Sequence, residues 1–332
     1  MSIKEKIFKA IGGNKFYYSN FIFTEKNNYT NFIINIFFLI KLILNKMTKI
    51  ILLADIAVRK IANSKNKIVS EIKINRNKTC FILGSGPSAK KNIKSLIGKD
   101  TFVSNNFFQH KDIKILNPKY YCLLDGKAIN PTAAGFKVTK KNPFKKKLYE
   151  HIKQSAKKIL SKCKNTNLIL PSQIAEETNK KYKFFGNANI FYVNILSFDL
   201  ADYVPKNLDI SAGVPFSFNV VPWKICLAIL LGYKKIILYG CEQDLFINFK
   251  HAFKTKKDIL KHRKLSNSKL NTKIDTLYPD TSNYISLFLS LNMLKCHKNL
   301  KKFAKSRNVK IINCTPGGIL DMYKKDDIKK YI

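Results

Sequence analysis

Short runs of three to six residues with apolar centres alternate with helix-compatible stretches from residue 78 to the end of the chain. The runs are rich in β-branched and aromatic residues and are bounded by turn-forming residues, which is typical of buried strands. They predict seven strands: Thr79–Leu83, Thr101–Ser104, Tyr120–Leu124, Asn167–Pro171, Ile190–Val193, Lys235–Tyr239 and Val309–Cys314. Periodic stretches predict helices over Pro143–Cys163, Phe216–Leu231 and Ser286–Ser306. Such alternation predicts a three-layer α/β fold over 78–332.

Residues 1–75 have a different pattern. Two apolar stretches, 32–44 and 50–58, are bracketed by lysines, and the first is shorter than the roughly 20 residues that a membrane-spanning helix needs. We expect a helical extension that either lies at a membrane interface, with its lysines towards lipid head groups, or packs as a hairpin on protein. Residues 62–78 predict a linker.

The segment 246–283 is polar and basic and lacks a periodic pattern. It is too long for a simple connection, so it predicts a lid or substrate loop that is mobile without ligand.

The formal charge of +40 predicts an anionic partner. The lysines are spread along the chain, without a zinc finger or an RNA-binding aromatic signature, so we expect an anionic membrane surface rather than nucleic acid. Seven cysteines occur without a Cys-x-x-Cys pair. Together with the absence of a signal-peptide pattern, this predicts a reducing cytoplasm, with the protein peripheral at the inner membrane.

A glycine turn, Gly84-Ser-Gly-Pro-Ser88, follows the first predicted strand and precedes a helix-compatible segment. Gly84 and Gly86 allow positive φ and close approach of a ligand, and Pro87 suits the first turn of a helix. Unpaired N–H groups at such a turn favour a phosphate. The alternative is a tight strand-to-helix turn without ligand.

Polar residues also follow other predicted strands. Asn105 and Asn106 follow the second strand, Asp125 the third, and Glu242 the strand over 235–239. Because ligands bind beyond the carboxyl ends of parallel strands, these side chains together predict contacts to a base and a ribose, although each alone is typical of a turn. No Asp-x-Asp motif or His pair at metal spacing is present, so we expect chemistry without a metal.

Four segments resemble, in this order, the bacterial lipooligosaccharide sialyltransferases and the sialyltransferase-like proteins of surface-polysaccharide loci: 81–88, 102–108, 121–125 and 231–242. The resemblance covers roughly residues 78–320. It implies a Rossmann-like glycosyltransferase fold and a metal-independent, inverting transfer of sialic acid or a similar acid sugar from a CMP-activated donor to a bacterial glycan or glycolipid. The resemblance is compatible with a homo-oligomer.

The resemblance also implies roles for individual residues. The residues expected around the nucleotide phosphate and ribose are Gly84, Ser85, Gly86 and Ser88, and those expected at the cytidine or the sugar are Asn105, Asn106 and Asp125. A Ser-Gly segment of the family that touches the donor matches Ser211 and Gly213, or Asn219 if no gap is allowed before Gly232. The segment after the last strand, 313–318, is expected to close one side of the pocket or to form a simple Pro-Gly turn.

The catalytic base is the main departure from the family. The stretch that matches its catalytic histidine, 278–286, contains none. His251 is therefore the candidate base or phosphate partner, with Glu242 and Asp280 as alternative carboxylate bases. The other histidines, including His110 and His297, are expected at the surface.

Two other functional classes stay open from the residues alone. A Mg²⁺-dependent pyrophosphokinase or phosphotransferase would use Asp125, Glu242 and Asp244 as metal ligands. A non-enzymatic protein would use its basic surface to bind nucleic acid or membrane.

Overall fold

The computed structural model describes residues 78–91, 93–124, 143–172, 179–186, 188–217, 219–243 and 282–332, together with seven helical residues between 47 and 57. The chain divides into two units, 1–58 and 59–332. In the first unit, Met47, Ile50, Ile51 and Leu53 are exposed.

The predicted linker and most of the predicted extension and lid lie outside the described residues. No helix in the described part of the chain has the length and apolar character needed to span a bilayer.

The second unit contains a sheet of eight strands that all pair in parallel. The strands are β1 Thr79–Leu83, β2 Thr101–Ser104, β3 Tyr120–Cys122, β4 Asn167–Pro171, β5 Ile190–Val193, β8 Lys235–Tyr239, β9 Lys310–Asn313 and β10 Lys324–Lys325. Their order across the sheet is β10-β9-β8-β1-β2-β3-β4-β5. All seven predicted strands are confirmed, with β3 and β9 shorter than predicted.

Helices cover both faces of this sheet. In the described part of this unit, the α-helices with defined bounds are α1 Ile113–Leu116, α2 Pro143–Lys162, α3 Val220–Leu230 and α4 Ser282–Ser306. Alternate residues of β1, Phe81 and Leu83, join one core with Ile152 and Ile159 of α2. The opposite face packs against α3, which also contacts α4. The central strands β1, β2 and β3 are buried on both faces for this reason.

The boundaries of α3 follow from its flanking residues. The side chain of Asn219 accepts a hydrogen bond from the N–H of Val221, which caps the first turn. Gly232, with φ +86°, follows the last turn. Residues 221–230 are all buried because the helix lies between the sheet and α4.

Other features also differ from the prediction. A separate two-stranded parallel sheet pairs β6 Ile195–Asp199 with β7 Val214–Phe216. The predicted start of α3 at Phe216 belongs to β7, and the residues that follow the glycine turn form two short 3-10 helices, Pro87–Lys90 and Ile93–Leu96, rather than an α-helix. Pro215 obscures β7 in the sequence, since proline is unusual within a strand.

Candidate functional site

The direction of chain progression across the sheet reverses between β1 and β8. From β1 the chain proceeds outwards through β2 to β5, whereas β8, β9 and β10 extend the sheet on the other side of β1. In open parallel sheets, ligands bind in the crevice that such a reversal creates beyond the carboxyl ends of the strands. The glycine turn after β1 and the Gly240–Glu242 turn after β8 meet there.

These two turns are hydrogen-bonded to each other. The N–H of Gly84 donates to Tyr239 O and that of Gly86 to Gly240 O, both at 2.8 Å. A Cβ on Gly84 would lie 2.1 Å from the carbonyl oxygen of Gly240. Of these three glycines only Gly240, at +70°, has positive φ. Gly84 and Gly86 do not use the positive φ that glycine allows, and both positions need glycine because the two turns pack so closely.

Glu242 projects into the glycine turn. Its Oε1 accepts a hydrogen bond of 2.7 Å from the N–H of Ser88, and the residue is only 7% exposed. A Cβ on Gly86 would lie 1.6 Å from Glu242 Oε2, so glycine is what leaves space for this carboxylate. The N–H groups of Gly84, Gly86 and Ser88 thus have protein acceptors, which corrects the expectation that they are unpaired.

Other polar groups at this edge have no protein partner. Six buried side-chain polar atoms lack a hydrogen bond within the described part of the chain, and three of them follow β1, β2 and β8: Ser88 Oγ, Asn105 Oδ1 and Glu242 Oε2. Buried polar groups are normally paired, because an unpaired one costs about 1–3 kcal/mol. A hydroxyl, an amide oxygen and a carboxylate oxygen left unpaired on neighbouring strand ends are able to bind a ligand with several hydroxyl or amino donors.

Asn105 has an unusual backbone. Its φ is +51°, in the left-handed region that asparagine tolerates better than most residues. The hydroxyl of Tyr121 donates to its carbonyl at 2.5 Å and accepts from the N–H of Phe108 at 2.9 Å. Tyr121 is buried, and it fixes the conformation in which Asn105 and the adjacent, half-buried Asn106 follow β2.

A fully buried lysine connects the ends of β1 and β2. Lys224, in α3, donates from Nζ to Leu83 O at 2.7 Å and to Ser104 Oγ at 3.0 Å. Burial lowers the pKa of its ammonium group. Its hydrogen-bond partners are a carbonyl and a hydroxyl rather than a carboxylate, which is unusual for a buried lysine. Lys224 was not predicted, although a single lysine within an otherwise apolar helix is a visible signal.

The segment after β9 closes the side of the site next to β8. Thr315 Oγ1 accepts from the N–H of Cys241 at 3.1 Å. Ile319 donates its N–H to Glu242 O at 3.0 Å, and a Cβ on Gly318 would lie 2.4 Å from that oxygen. The segment therefore packs on the turn after β8, and its role at a ligand pocket stays a prediction.

The two alternative predictions for a donor contact, Ser211 with Gly213 or Asn219, lie in different surroundings. Ser211 bonds through both its N–H and its hydroxyl to the carboxylate of Asp209, and Gly213 packs on the backbone of Asn194 before β7. Asn219 instead donates from Nδ2 to Gln243 Oε1 at 2.9 Å, next to Glu242. The structure therefore links Asn219, and not the other two residues, to the turn after β8 by a direct hydrogen bond.

Four predicted site residues, Asp125, Asp244, His251 and Asp280, lie outside the described residues, and Ser85 is half-buried in the glycine turn. The expected surface setting of His110 and His297 is wrong, because both are buried. His110 Nε2 lies 3.1 Å from Ala89 O. Burial lowers the pKa of both imidazoles, to about 3 for His297.

Metal ligands and reactive thiols are sparse in the described part of the chain. No group of three His, Cys, Asp or Glu side chains there has the arrangement of a metal site. All seven cysteines are buried free thiols. Burial raises the pKa of Cys122 and of Cys241 to about 12, so neither thiol near Lys224 has the character of a nucleophile.

No family model matches the chain, and no curated protein matches it. Among solved structures, it is similar to the sialyltransferase CstII from Campylobacter jejuni, determined in complex with a substrate analogue, cytidine-5'-monophosphate. The TM-score is 0.40 and the sequence identity 17%, over 76% of this chain and 85% of that chain. A likeness at this level does not by itself assign an activity.

Proposed function

We propose that the protein is a metal-independent, inverting glycosyltransferase that takes an acid sugar, such as sialic acid, from a CMP-activated donor. The acceptor we propose is a bacterial surface glycan or glycolipid, reached from the cytoplasmic side of the inner membrane. The observation that carries the proposal is that Ser88 Oγ, Asn105 Oδ1 and Glu242 Oε2, all unpaired, follow three neighbouring strands at the reversal point of the parallel sheet.

The three groups suit different parts of a nucleotide donor. The Ser88 hydroxyl is able to donate to a phosphate oxygen, and the Asn105 amide oxygen is able to accept from the exocyclic amine of cytosine or from a ribose hydroxyl. Glu242 Oε2 is an acceptor for a ribose or sugar hydroxyl. A carboxylate is a poor neighbour for a phosphate, so in this proposal the phosphate lies on the Ser88 side of the turn.

The same arrangement suggests how the transfer proceeds. A base removes the proton of the acceptor hydroxyl, whose oxygen attacks the anomeric carbon while the bond to the CMP phosphate oxygen breaks. Donors such as the Ser88 hydroxyl stabilise the charge that develops on the leaving phosphate. His251 is the base in this proposal, with Asp280 as the alternative, because one oxygen of Glu242 already accepts the Ser88 N–H bond.

Thermal unfolding with CMP, UDP, GDP and ATP, with and without Mg²⁺, tests the nucleotide. A ligand at about one hundred times its Kd adds about 2.7 kcal/mol to the free energy of unfolding. We expect stabilisation by CMP that Mg²⁺ and a chelator leave unchanged. Stabilisation only by ATP with Mg²⁺ would point to a phosphotransferase instead, and no stabilisation by any nucleotide would contradict the proposal.

Two variants test the proposed contacts. Ser88→Ala removes a hydroxyl without a protein partner, and Asn105→Gly removes the amide while it allows the left-handed backbone. Both are expected to weaken CMP binding by about tenfold, the equivalent of one lost hydrogen bond of 1.4 kcal/mol. Ser161→Ala, on an exposed turn of α2, is the matched control and should bind CMP as the wild type does.

A further inference from the structure

A basic cavity lies at the opposite end of the strands from the glycine turn. It has a volume of about 810 Å³ and is bounded by the C-terminal part of α4, the first residues of β8 and β9, β10 and the C-terminal segment. Five of its twelve lining residues are lysines, and none is acidic: Lys235, Lys301, Lys305, Lys310 and Lys324. We refer to it as the lysine cavity.

Two pairs of like charges face this cavity. Lys235 and Lys310 are paired in register on β8 and β9, and Lys301 and Lys305 are four residues apart on α4. Like charges in register on neighbouring strands, or four residues apart on a helix, destabilise a fold by a few tenths of a kcal/mol each. The negative end of the α4 dipole offsets part of this repulsion.

The carboxylate next to the cavity is already paired. Asp326 accepts from Lys330 Nζ at 2.7 Å and from the hydroxyl of Tyr331 at 2.8 Å, and these hydrogen bonds lower its pKa. The ring of Tyr331 lines the cavity, with Lys235 Nζ 5.8 Å from its centroid. Within the described residues, none of the five cavity lysines forms an ion pair.

From this geometry we infer that the lysine cavity binds a small molecule that carries phosphate groups. A multiply charged anion between the two lysine pairs attracts all four ammonium groups and so offsets the repulsion within each pair. Lysine ammonium groups bind phosphate as point charges. The volume lies within the range of small-molecule sites, about 300–1,000 Å³, and exceeds the size of a single phosphate. The ligand is either a free phosphorylated compound or the head group of an anionic phospholipid. This site is separate from the proposed donor site and does not depend on the proposed function.

Inorganic pyrophosphate is the probe for a first test. At low ionic strength, pyrophosphate should raise the unfolding temperature of the full chain. The double variant Lys301→Gln and Lys305→Gln should bind it at least about tenfold more weakly, since each charged contact contributes about 1.5–3 kcal/mol. Without ligand, the variant should be at least as stable as the wild type because one like-charge pair is gone.

A matched control is available on α2. The double variant Lys153→Gln and Lys157→Gln changes the same net charge at the same spacing, at a different cavity, and should keep the affinity for pyrophosphate. Ser88→Ala should keep it too, which separates this site from the glycine turn. No shift in the wild type, or an equal loss in the α2 control, would overturn the inference.

Vesicles separate the two sources of the phosphate. Cosedimentation with phosphatidylglycerol vesicles, but not with phosphatidylcholine vesicles, that the α4 variant loses and the α2 control keeps would assign a lipid head group. Pyrophosphate binding without such cosedimentation would assign a free phosphorylated compound. If the α4 variant lost binding to an RNA oligonucleotide while pyrophosphate had no effect on the wild type, the small-molecule inference would be wrong.

Discussion

The Oε1 atom of Glu242 lies 2.7 Å from the backbone nitrogen of Ser88, across the crevice between β8 and β1. The two residues are 154 positions apart in the chain. Their hydrogen bond joins the turns after two adjacent central strands, so the geometry of the candidate site depends on a contact between distant parts of the sequence.

Substitution of Glu242 should separate its structural contact from its charge. Glu242→Gln keeps an oxygen that can accept the Ser88 N–H bond and should lower the free energy of unfolding by less than about 1 kcal/mol. Glu242→Ala leaves this N–H without an acceptor and should cost about 1.5–3 kcal/mol. Denaturant unfolding of both variants measures the difference. Equal losses would show that the hydrogen bond contributes little.

Lys224 should matter more for ligand binding than for stability. In Lys224→Met, the methionine side chain is similar in shape to the lysine side chain. The free energy lost with the hydrogen bonds to Leu83 O and Ser104 Oγ is offset, because the variant does not have to bury an ammonium group. We expect a change in the free energy of unfolding of less than about 2 kcal/mol. CMP binding should be about tenfold weaker, since the lysine no longer connects the ends of β1 and β2.

Lys224→Arg serves as a second variant for this position. Its guanidinium keeps the donors but is larger, so it should destabilise the core more than methionine does. Full CMP affinity in the folded methionine variant would show that Lys224 does not position the site.

Burial of His297 should make stability depend on pH. Its pKa in the folded protein is about 3, below the value of about 6.5 in an unfolded chain. The unfolded state therefore binds the extra proton first, and this contribution to stability is complete above pH 6.5 and is lost as the pH falls towards 3. The loss from this one group should reach about 1.4 kcal/mol per pH unit at its steepest.

The variant His297→Leu isolates this effect. The hydroxyl of Tyr323 keeps its bond to the carbonyl oxygen of residue 297 at 3.2 Å, so the substitution leaves this hydroxyl paired. Unfolding measured from pH 4 to pH 7 should show a shallower dependence for the variant than for the wild type. Curves of the same slope would mean that other groups, such as His110, determine the acid sensitivity.

The proposed base should affect turnover and not donor binding. His251→Ala is expected to lower kcat by about 10²–10⁴-fold with CMP affinity unchanged, in an assay with a CMP-activated acid sugar. If His251→Ala retains full activity and Asp280→Asn loses it, Asp280 is the base. Activity retained in both variants would indicate that Glu242 is the catalytic base.

The sequence predicts the strands well and the contacts between them poorly. Each of the seven predicted strands has adjacent apolar residues at its centre, because strands of a parallel sheet are largely buried on both faces. The same pattern cannot show that Glu242 fills the turn around Gly86 or that Asn105 adopts positive φ, since both follow from tertiary packing. Glycine in the turn after β1 indicates close approach, but only the structure shows that the approaching group is protein.

The position of β1 also determines when this site forms during synthesis. β1 pairs with β2, which follows soon after it, and with β8, which is made only after some 150 further residues. Loop closure over such a distance is slow, and in a nascent chain one edge of β1 lacks its strand partner until Lys235–Tyr239 has been translated. Truncations that end before β8 should therefore aggregate, whereas those that lose only residues after β9 retain both neighbours of β1.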